Sequence, residues 1–81
     1  MRIDKFLKVS RILKRRSVAN EAVSGGKVKI NDKAVKPAHD VKVGDVIELG
    51  YSSGTVKIKV LAIKETVRKD EAESLYEIIA E

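Results

Sequence analysis

Residues 1–36 read MRIDKFLKVSRILKRRSVANEAVSGGKVKINDKAVK, and within this stretch the helical spacing of apolar residues gives way to strand-like alternation. Ile3, Phe6 and Leu7 are spaced as on one face of an amphipathic helix, which is predicted to end near Val9. At about 100° per residue, three basic residues fall together on the opposite side: Arg2, Lys5 and Lys8. The first helix therefore has an apolar face for the core and a basic face for solvent or a ligand.

A second helix is predicted to begin near Ser17, because serine is a preferred N-cap residue. The capping box is imperfect, since Asn20 stands where glutamate or glutamine is expected. Gly25 and Gly26 then end the helix, because glycine accepts the left-handed conformation of a C-cap. Small apolar residues cover one helix face and suit close packing against the first helix: Val18, Ala19, Ala22 and Val23.

From Lys27 the period changes to two, as lysines alternate with β-branched residues up to Ile30. Asn31-Asp32 is predicted to form a tight turn, because both residues tolerate positive φ, and Ala34-Val35 to return as a short strand. The remaining predicted elements are strands at residues 46–49 and 55–63, a short helix at residues 68–75 with Ala72 and Leu75 as core contacts, and a last strand at residues 76–79.

This order of elements predicts an α+β fold in which two N-terminal helices pack on a small, mostly antiparallel twisted β-sheet, with a short C-terminal helix. A chain of 81 residues supports one small core. We therefore expect a single domain over residues 1–81, with a helix-helix-strand motif at residues 1–49 and a β extension with the short helix at residues 50–81.

The net charge of +5 is divided unevenly along the chain. Residues 1–36 hold eleven Lys/Arg against three Asp/Glu, whereas residues 37–81 hold six against nine. A half-molecule so biased produces a field that attracts a polyanion. We therefore expect nucleic-acid binding by residues 1–36. Aromatic residues are few, and Phe6 has the spacing of a core residue, which favours recognition of folded RNA by shape and backbone over stacking on single strands.

The candidate RNA-binding residues begin with the basic residues of the first helix and of the turn after it: Arg2, Lys5, Lys8, Arg11, Lys14, Arg15 and Arg16. Arginine binds phosphate through paired hydrogen bonds or stacks on a base. The four basic residues within positions 11–16 repel one another, and a polyanion relieves that repulsion. Lys27 and Lys36, with Lys29, extend this surface if their side of the strands adjoins the helices.

Three polar residues are also candidates, and two of them have more than one interpretation. Ser17 either caps the second helix or binds phosphate at the helix start, where free N–H groups favour anions. Asp4 complements the positive start of the first helix or orients a nearby arginine. Asn20 lies on the polar face of the second helix. His39 is interpreted as a loop residue without a catalytic role, because no partner for it is visible in the sequence.

Several separated motifs, in this order, resemble the RNA-binding domain named after small-subunit ribosomal protein S4. They are RIDKFL at residues 2–7, RS at 16–17 with Ala19 and Ala22-Val23, GKVKIN at 26–31, KP at 36–37 and VKVGDVI at 41–47. The resemblance implies the helix-helix-strand fold of that family and marks Asp4 as part of its RNA-binding surface. Asp32 departs from the family, which usually has glycine in the turn, so the turn type stays open.

The opening at residues 2–16 and the tail KDEAESLY at residues 69–76 are similar to the short, stand-alone bacterial factors of ribosome-associated quality control, which are related to the fifteen-kilodalton heat-shock protein. This resemblance implies binding to ribosomal RNA of a stalled large ribosomal subunit and to its peptidyl-tRNA. It also implies assistance to the factor that adds the C-terminal alanine tail on the same subunit. A monomer associated with ribosomes in the cytoplasm is the expected form.

Other function classes find little support in the sequence. Cysteine is absent and His39 is the one histidine, so we expect no metal site and no cofactor. No signal peptide, membrane span or catalytic group is predicted. A structured-RNA-binding protein of large-subunit recycling or assembly remains an alternative. A helix-turn-helix DNA-binding protein is a weaker one, since the second helix lacks a base-reading arginine. A protein-interaction module whose basic face meets an acidic partner is a further alternative.

Overall fold

The computed structural model describes residues 1–13, 16–51 and 54–80. Two helices, α1 and α2, come first, and the described strands form one sheet in the order β2-β1-β3-β4-β5, with every neighbouring pair antiparallel. The elements are α1 Ile3–Val9, α2 Arg16–Ser24, β1 Val28–Ile30, β2 Lys33–Ala34, β3 Val46–Tyr51, β4 Gly54–Val60, a 3₁₀ helix at Lys69–Leu75 and β5 Tyr76–Ala80. The predicted α+β fold is confirmed. Within the described ranges, no helix is long and apolar enough to cross a bilayer.

The core lies between the two helices and one face of the sheet. Ile3, Phe6 and Leu7 are completely buried, which confirms the apolar face predicted for α1. The other fully or nearly fully buried apolar side chains come from α2, from alternate positions of β1, β3 and β4, from the loop before β3 and from the 3₁₀ helix: Ala19, Val23, Val28, Ile30, Val41, Ile47, Leu49, Ile58, Val60, Ala72 and Leu75. Because strand side chains alternate, the intervening residues lie on the opposite sheet face.

The end of α2 follows its prediction, whereas its start differs by one residue. Gly26 has a φ of 76° and donates its N–H to Val23 O at 3.1 Å, and Lys27 donates to Ala22 O at 3.0 Å, which is the Schellman pattern. The helix begins at Arg16, so Ser17 lies in its first turn. The prediction of Ser17 as N-cap is wrong, because an N-cap residue has non-helical dihedrals and precedes the first turn.

The β1–β2 hairpin closes through a two-residue turn. Asn31 and Asp32 have φ values of 50° and 69°, and positive φ at both central positions is the type I′ geometry. The turn type left open by the absence of glycine is thereby settled. Ile30 pairs with Lys33, so β2 begins one residue earlier than predicted. Asn31 also accepts a hydrogen bond from Val46 N at 3.0 Å, which fixes the start of β3.

The C-terminal elements complete the sheet and its core. The strand predicted at residues 55–63 spans Gly54–Val60, since the backbone leaves β4 at Leu61, whose N–H donates to Leu75 O at 2.8 Å. The predicted helix is a 3₁₀ helix, and its two predicted core contacts are buried. The last segment is a strand, as predicted, and pairs with β4.

Candidate nucleic-acid interface

The start of α1 presents an exposed arginine held by a buried carboxylate. Arg2 is the N-cap residue of α1, with extended dihedrals. Its guanidinium donates from Nε to Asp4 Oδ1 at 3.2 Å and from Nη2 to Asp4 Oδ2 at 3.0 Å. The Arg2 side chain is 47% exposed, whereas that of Asp4 is 2% exposed. The two-point contact fixes the plane of the guanidinium while leaving part of it open to a ligand.

Asp4 also connects the two helices. Its Oδ1 accepts from Lys5 N at 2.7 Å, and its Oδ2 accepts from the Asn20 side-chain amide at 3.4 Å. Burial by itself raises the pKa of Asp4, but the hydrogen bonds from Arg2, Asn20 and Lys5 N outweigh it, and the pKa is lowered. Asp4 is therefore ionised at neutral pH. Of its possible roles, the geometry favours orientation of the nearby arginine.

The cations further along α1 differ in their availability. Lys5 donates to Glu65, a residue of the C-terminal half, and this contact lowers the pKa of Glu65. Lys8 and Arg11 are exposed. Arg11 has a φ of 61°, in the left-handed region. The predicted stripe of three equivalent cations therefore contains an arginine on a carboxylate, a lysine in an ion pair and an exposed lysine.

The structure places Lys36, Lys27 and Lys29 at three different locations. Lys36 begins a turn whose His39 donates from N to Lys36 O at 2.9 Å and accepts from Ile3 N at 2.8 Å, so this turn adjoins the start of α1. Lys27 follows the C-terminal end of α2, three residues after Ser24. Lys29 faces Glu48 across the strands, on the sheet face away from the helices. Lys36 thus adjoins the Arg2 region, and Lys29 does not.

The remaining candidate residues of the sequence prediction are described to different extents. Lys14 and Arg15 fall outside the described ranges. Arg16 and Ser17 are described by their backbone, which forms the first turn of α2. Asn20 is half-buried and contacts Asp4 from α2. His39 is an exposed loop residue.

Sequence reasoning missed two lysines near Lys36. An open groove of about 860 Å³ runs beside the β1–β2 hairpin, and Lys33 and Lys42 line it together with Lys36. Two carboxylates, Asp40 and Asp45, also line this groove. Asp40 accepts a hydrogen bond from the Met1 ammonium at 2.7 Å. The basic composition of residues 27–42 was the available signal, but the hairpin geometry was needed to place these side chains together.

The chain was compared with known protein families and structures. The family model described as the S4 domain matches residues 1–47. The RQC P-site tRNA stabilizing factor of Streptococcus pneumoniae is 44% identical over all 81 residues, which cover 92% of that protein. Its Bacillus subtilis counterpart is 42% identical, with 100% of this chain and 94% of that protein covered.

The chain belongs to the S4 domain family and to the family of RQC P-site tRNA stabilizing factors. The resemblance stated from the sequence is thereby confirmed. A trimeric structure of heat shock protein 15 from Vibrio cholerae superposes with a TM-score of 0.92 at 36% identity, covering 99% of this chain and 82% of that one. Family membership favours RNA over DNA, because it assigns the two N-terminal helices to the S4 domain rather than to a helix-turn-helix unit.

Proposed function

We propose that this chain is a non-catalytic RNA-binding factor of ribosome-associated quality control, which binds ribosomal RNA of the stalled large subunit and stabilises the peptidyl-tRNA in its P site. The observation that carries the proposal is the exposed Arg2 guanidinium, held in plane by the buried Asp4 carboxylate where α1 meets α2. The name of the family, RQC P-site tRNA stabilizing factor, supports the tRNA ligand and the step of translation.

The proposed contact is made to phosphates and to RNA shape. An arginine fixed by a carboxylate offers its remaining N–H donors in one orientation, which suits phosphate oxygens. Arg16 begins α2, the helix whose Asn20 contacts the same carboxylate, so it joins this site in the proposal. Lys8, Arg11 and Lys36 add electrostatic attraction around it. The proposed site also keeps Lys5, Lys14, Arg15, Ser17 and Lys27 from the sequence prediction.

The finer parts of the proposal rest on the family resemblance. The chain assists C-terminal alanine tailing of the stalled nascent chain, next to the factor that adds the tail on the same subunit. It acts as a monomer, bound to ribosomes in the cytoplasm. Its role is to hold RNA in place, with no chemical step of its own.

The test is co-sedimentation with large ribosomal subunits that carry peptidyl-tRNA, at two or more salt concentrations. Binding is expected to weaken as salt rises, and to weaken in Arg2→Ala and Arg16→Ala variants. Lys59→Ala is the matched control, because it removes one positive charge from the sheet face away from the helices.

Full binding by the Arg2/Arg16 double alanine variant would contradict the assigned site. Equal binding to subunits with and without tRNA would instead favour the recycling or assembly role. Competition by duplex DNA as strong as that by structured RNA would contradict RNA recognition itself.

A further inference from the structure

A second cationic site joins the end of α1 to residues 65–69, which lie beyond residues 1–47 matched by the S4 family model. A cleft of about 560 Å³ separates the C-terminal end of α1 from residues 65–69. We propose that this cleft, lined by Lys8, Arg11, Thr66 and Lys69, binds a phosphate group of the RNA backbone. The proposal rests on the proposed function and extends its surface to the C-terminal half, whose net charge is negative.

The charge balance of the cleft favours an anion. Among the described residues, three cationic side chains line it, Lys8 and Arg11 from the N-terminal half and Lys69 from the C-terminal half. The carboxylate that also lines it, Glu65, is paired with the Lys5 ammonium at the cleft border. The cleft therefore keeps a positive excess, and the Thr66 hydroxyl adds a neutral hydrogen-bond donor. Three cations converging on one cleft repel one another until an anion enters.

The backbone of Arg11 gives a second, independent observation. Arg11 follows the last turn of α1 and donates its N–H to Lys8 O at 3.1 Å, with a φ of 61°. Glycine is the usual residue at this position of a helix C-terminus, because a side chain is strained there. The chain nevertheless places a long cationic side chain at this point, on the border of the cleft. Stored strain of this kind is typical of binding sites.

Both walls of the cleft are anchored to the rest of the fold. Val9 and Val67 line it and pack against the hydrophobic core. Lys5 and Glu65 join the two walls through their ion pair. Glu71 N donates to Arg68 O at 2.9 Å, which sets the backbone at the start of the 3₁₀ helix that carries Lys69. A site formed in advance loses less conformational entropy on binding.

The experiment measures the affinity for large subunits, with and without peptidyl-tRNA, over a salt series. We expect Lys69→Gln to weaken binding roughly 3- to 10-fold, and to reduce the slope of log K against log salt by about one. Lys59→Gln is the matched control, because it makes the same charge change on the opposite sheet face, and it is expected to leave both quantities unchanged. A loss on empty subunits assigns the phosphate to ribosomal RNA, and a loss confined to loaded subunits assigns it to tRNA.

Arg11→Gly separates binding from folding. The variant is expected to melt at a higher temperature than the parent, because glycine relieves the left-handed strain, and yet to bind RNA more weakly. If Arg11 had a merely structural role, melting temperature and RNA affinity would both rise or both fall in this variant. The inference is overturned if Lys69→Gln binds like Lys59→Gln. In that case, weaker binding by the Arg2/Arg16 double variant would still leave the proposed function standing.

Discussion

Replacing Asp4 with asparagine tests whether this carboxylate positions Arg2. The side chain keeps its shape, and one oxygen still accepts from Lys5 N, but the charge-assisted contacts with Arg2 and Asn20 are lost or weakened. Each hydrogen bond to a charged group contributes about 1.5–3 kcal/mol. Arg2 is 47% exposed and recovers water contacts, so the expected loss of unfolding free energy is about 2 kcal/mol for the set.

The loss is measured by thermal and urea unfolding followed by circular dichroism. For a chain of this size, it corresponds to a fall in Tm of roughly 8–16 °C, with the urea m-value unchanged. A loss under about 0.5 kcal/mol, the range of ordinary surface substitutions, would show that the buried carboxylate contributes little to the fold.

The stability contributed by Asp4 should also depend on pH in a definite direction. The pKa of Asp4 is lowered in the folded state, so its contribution to stability is fully present above the unfolded pKa of about 3.9. That contribution is lost as pH falls below this value and through the folded pKa. The stability difference between parent and Asp4→Asn should therefore be largest near neutral pH and shrink below about pH 4. A difference that stays constant down to pH 2 would refute the assignment.

RNA binding should also depend on the contact between Asp4 and Arg2. In Asp4→Asn, the guanidinium of Arg2 loses its fixed plane, so binding to RNA should weaken although no exposed cation has been removed. In a double-mutant cycle on binding free energy, Asp4→Asn and Arg2→Ala should couple by about 0.5–3 kcal/mol. Additive effects would show that the carboxylate and the arginine act independently, and that Asp4 does not position Arg2.

Three further predictions concern the fold. Asp32→Gly should raise the free energy of unfolding by about 0.5–1 kcal/mol in urea titrations, because glycine adopts the φ of 69° without strain. A lower free energy of unfolding would contradict this reasoning. Leu75→Ala should lower the free energy of unfolding by about 2–5 kcal/mol, because this buried leucine of the C-terminal half belongs to the common core. All probes should still report a single cooperative transition, and two transitions would contradict one domain over residues 1–81. Sedimentation equilibrium at micromolar concentration should give the mass of one chain, and a trimer would contradict the predicted monomer.

Local sequence rules predicted the elements that depend on a few neighbouring residues. The spacing of Ile3, Phe6 and Leu7 identified the buried face of α1, because helix geometry alone decides which residues share a face. Gly26 after α2 and the Asn31-Asp32 turn were predicted from equally local information, since positive φ selects residue type directly. The start of α2 lies one residue before the predicted position, because cap residue type alone locates a helix end only to within one or two residues.

The site depended on contacts that no local rule contains. Lys5 and Glu65 are sixty positions apart, and their pairing changes Lys5 from a free cation into a link between the halves. The Asn20 contact to Asp4 follows from the packing of α1 on α2. The side of the sheet on which Lys29 lies follows from strand register, because a shift of one residue would move it to the other face.

The charge asymmetry between the two halves of the sequence does not correspond to two halves of the folded surface. Residues 37–81 carry a net negative charge, yet Glu65 pairs with an N-terminal lysine and Lys69 lies beside Lys8 and Arg11 in one cleft. Folding therefore redistributes charge, so that the C-terminal half supplies both a neutralising partner and an additional cation near α1. If RNA binding depended only on the basic N-terminal sequence, Lys69→Gln would have no more effect than Lys59→Gln. A difference between these two variants measures how much of the RNA-binding surface is created by the fold.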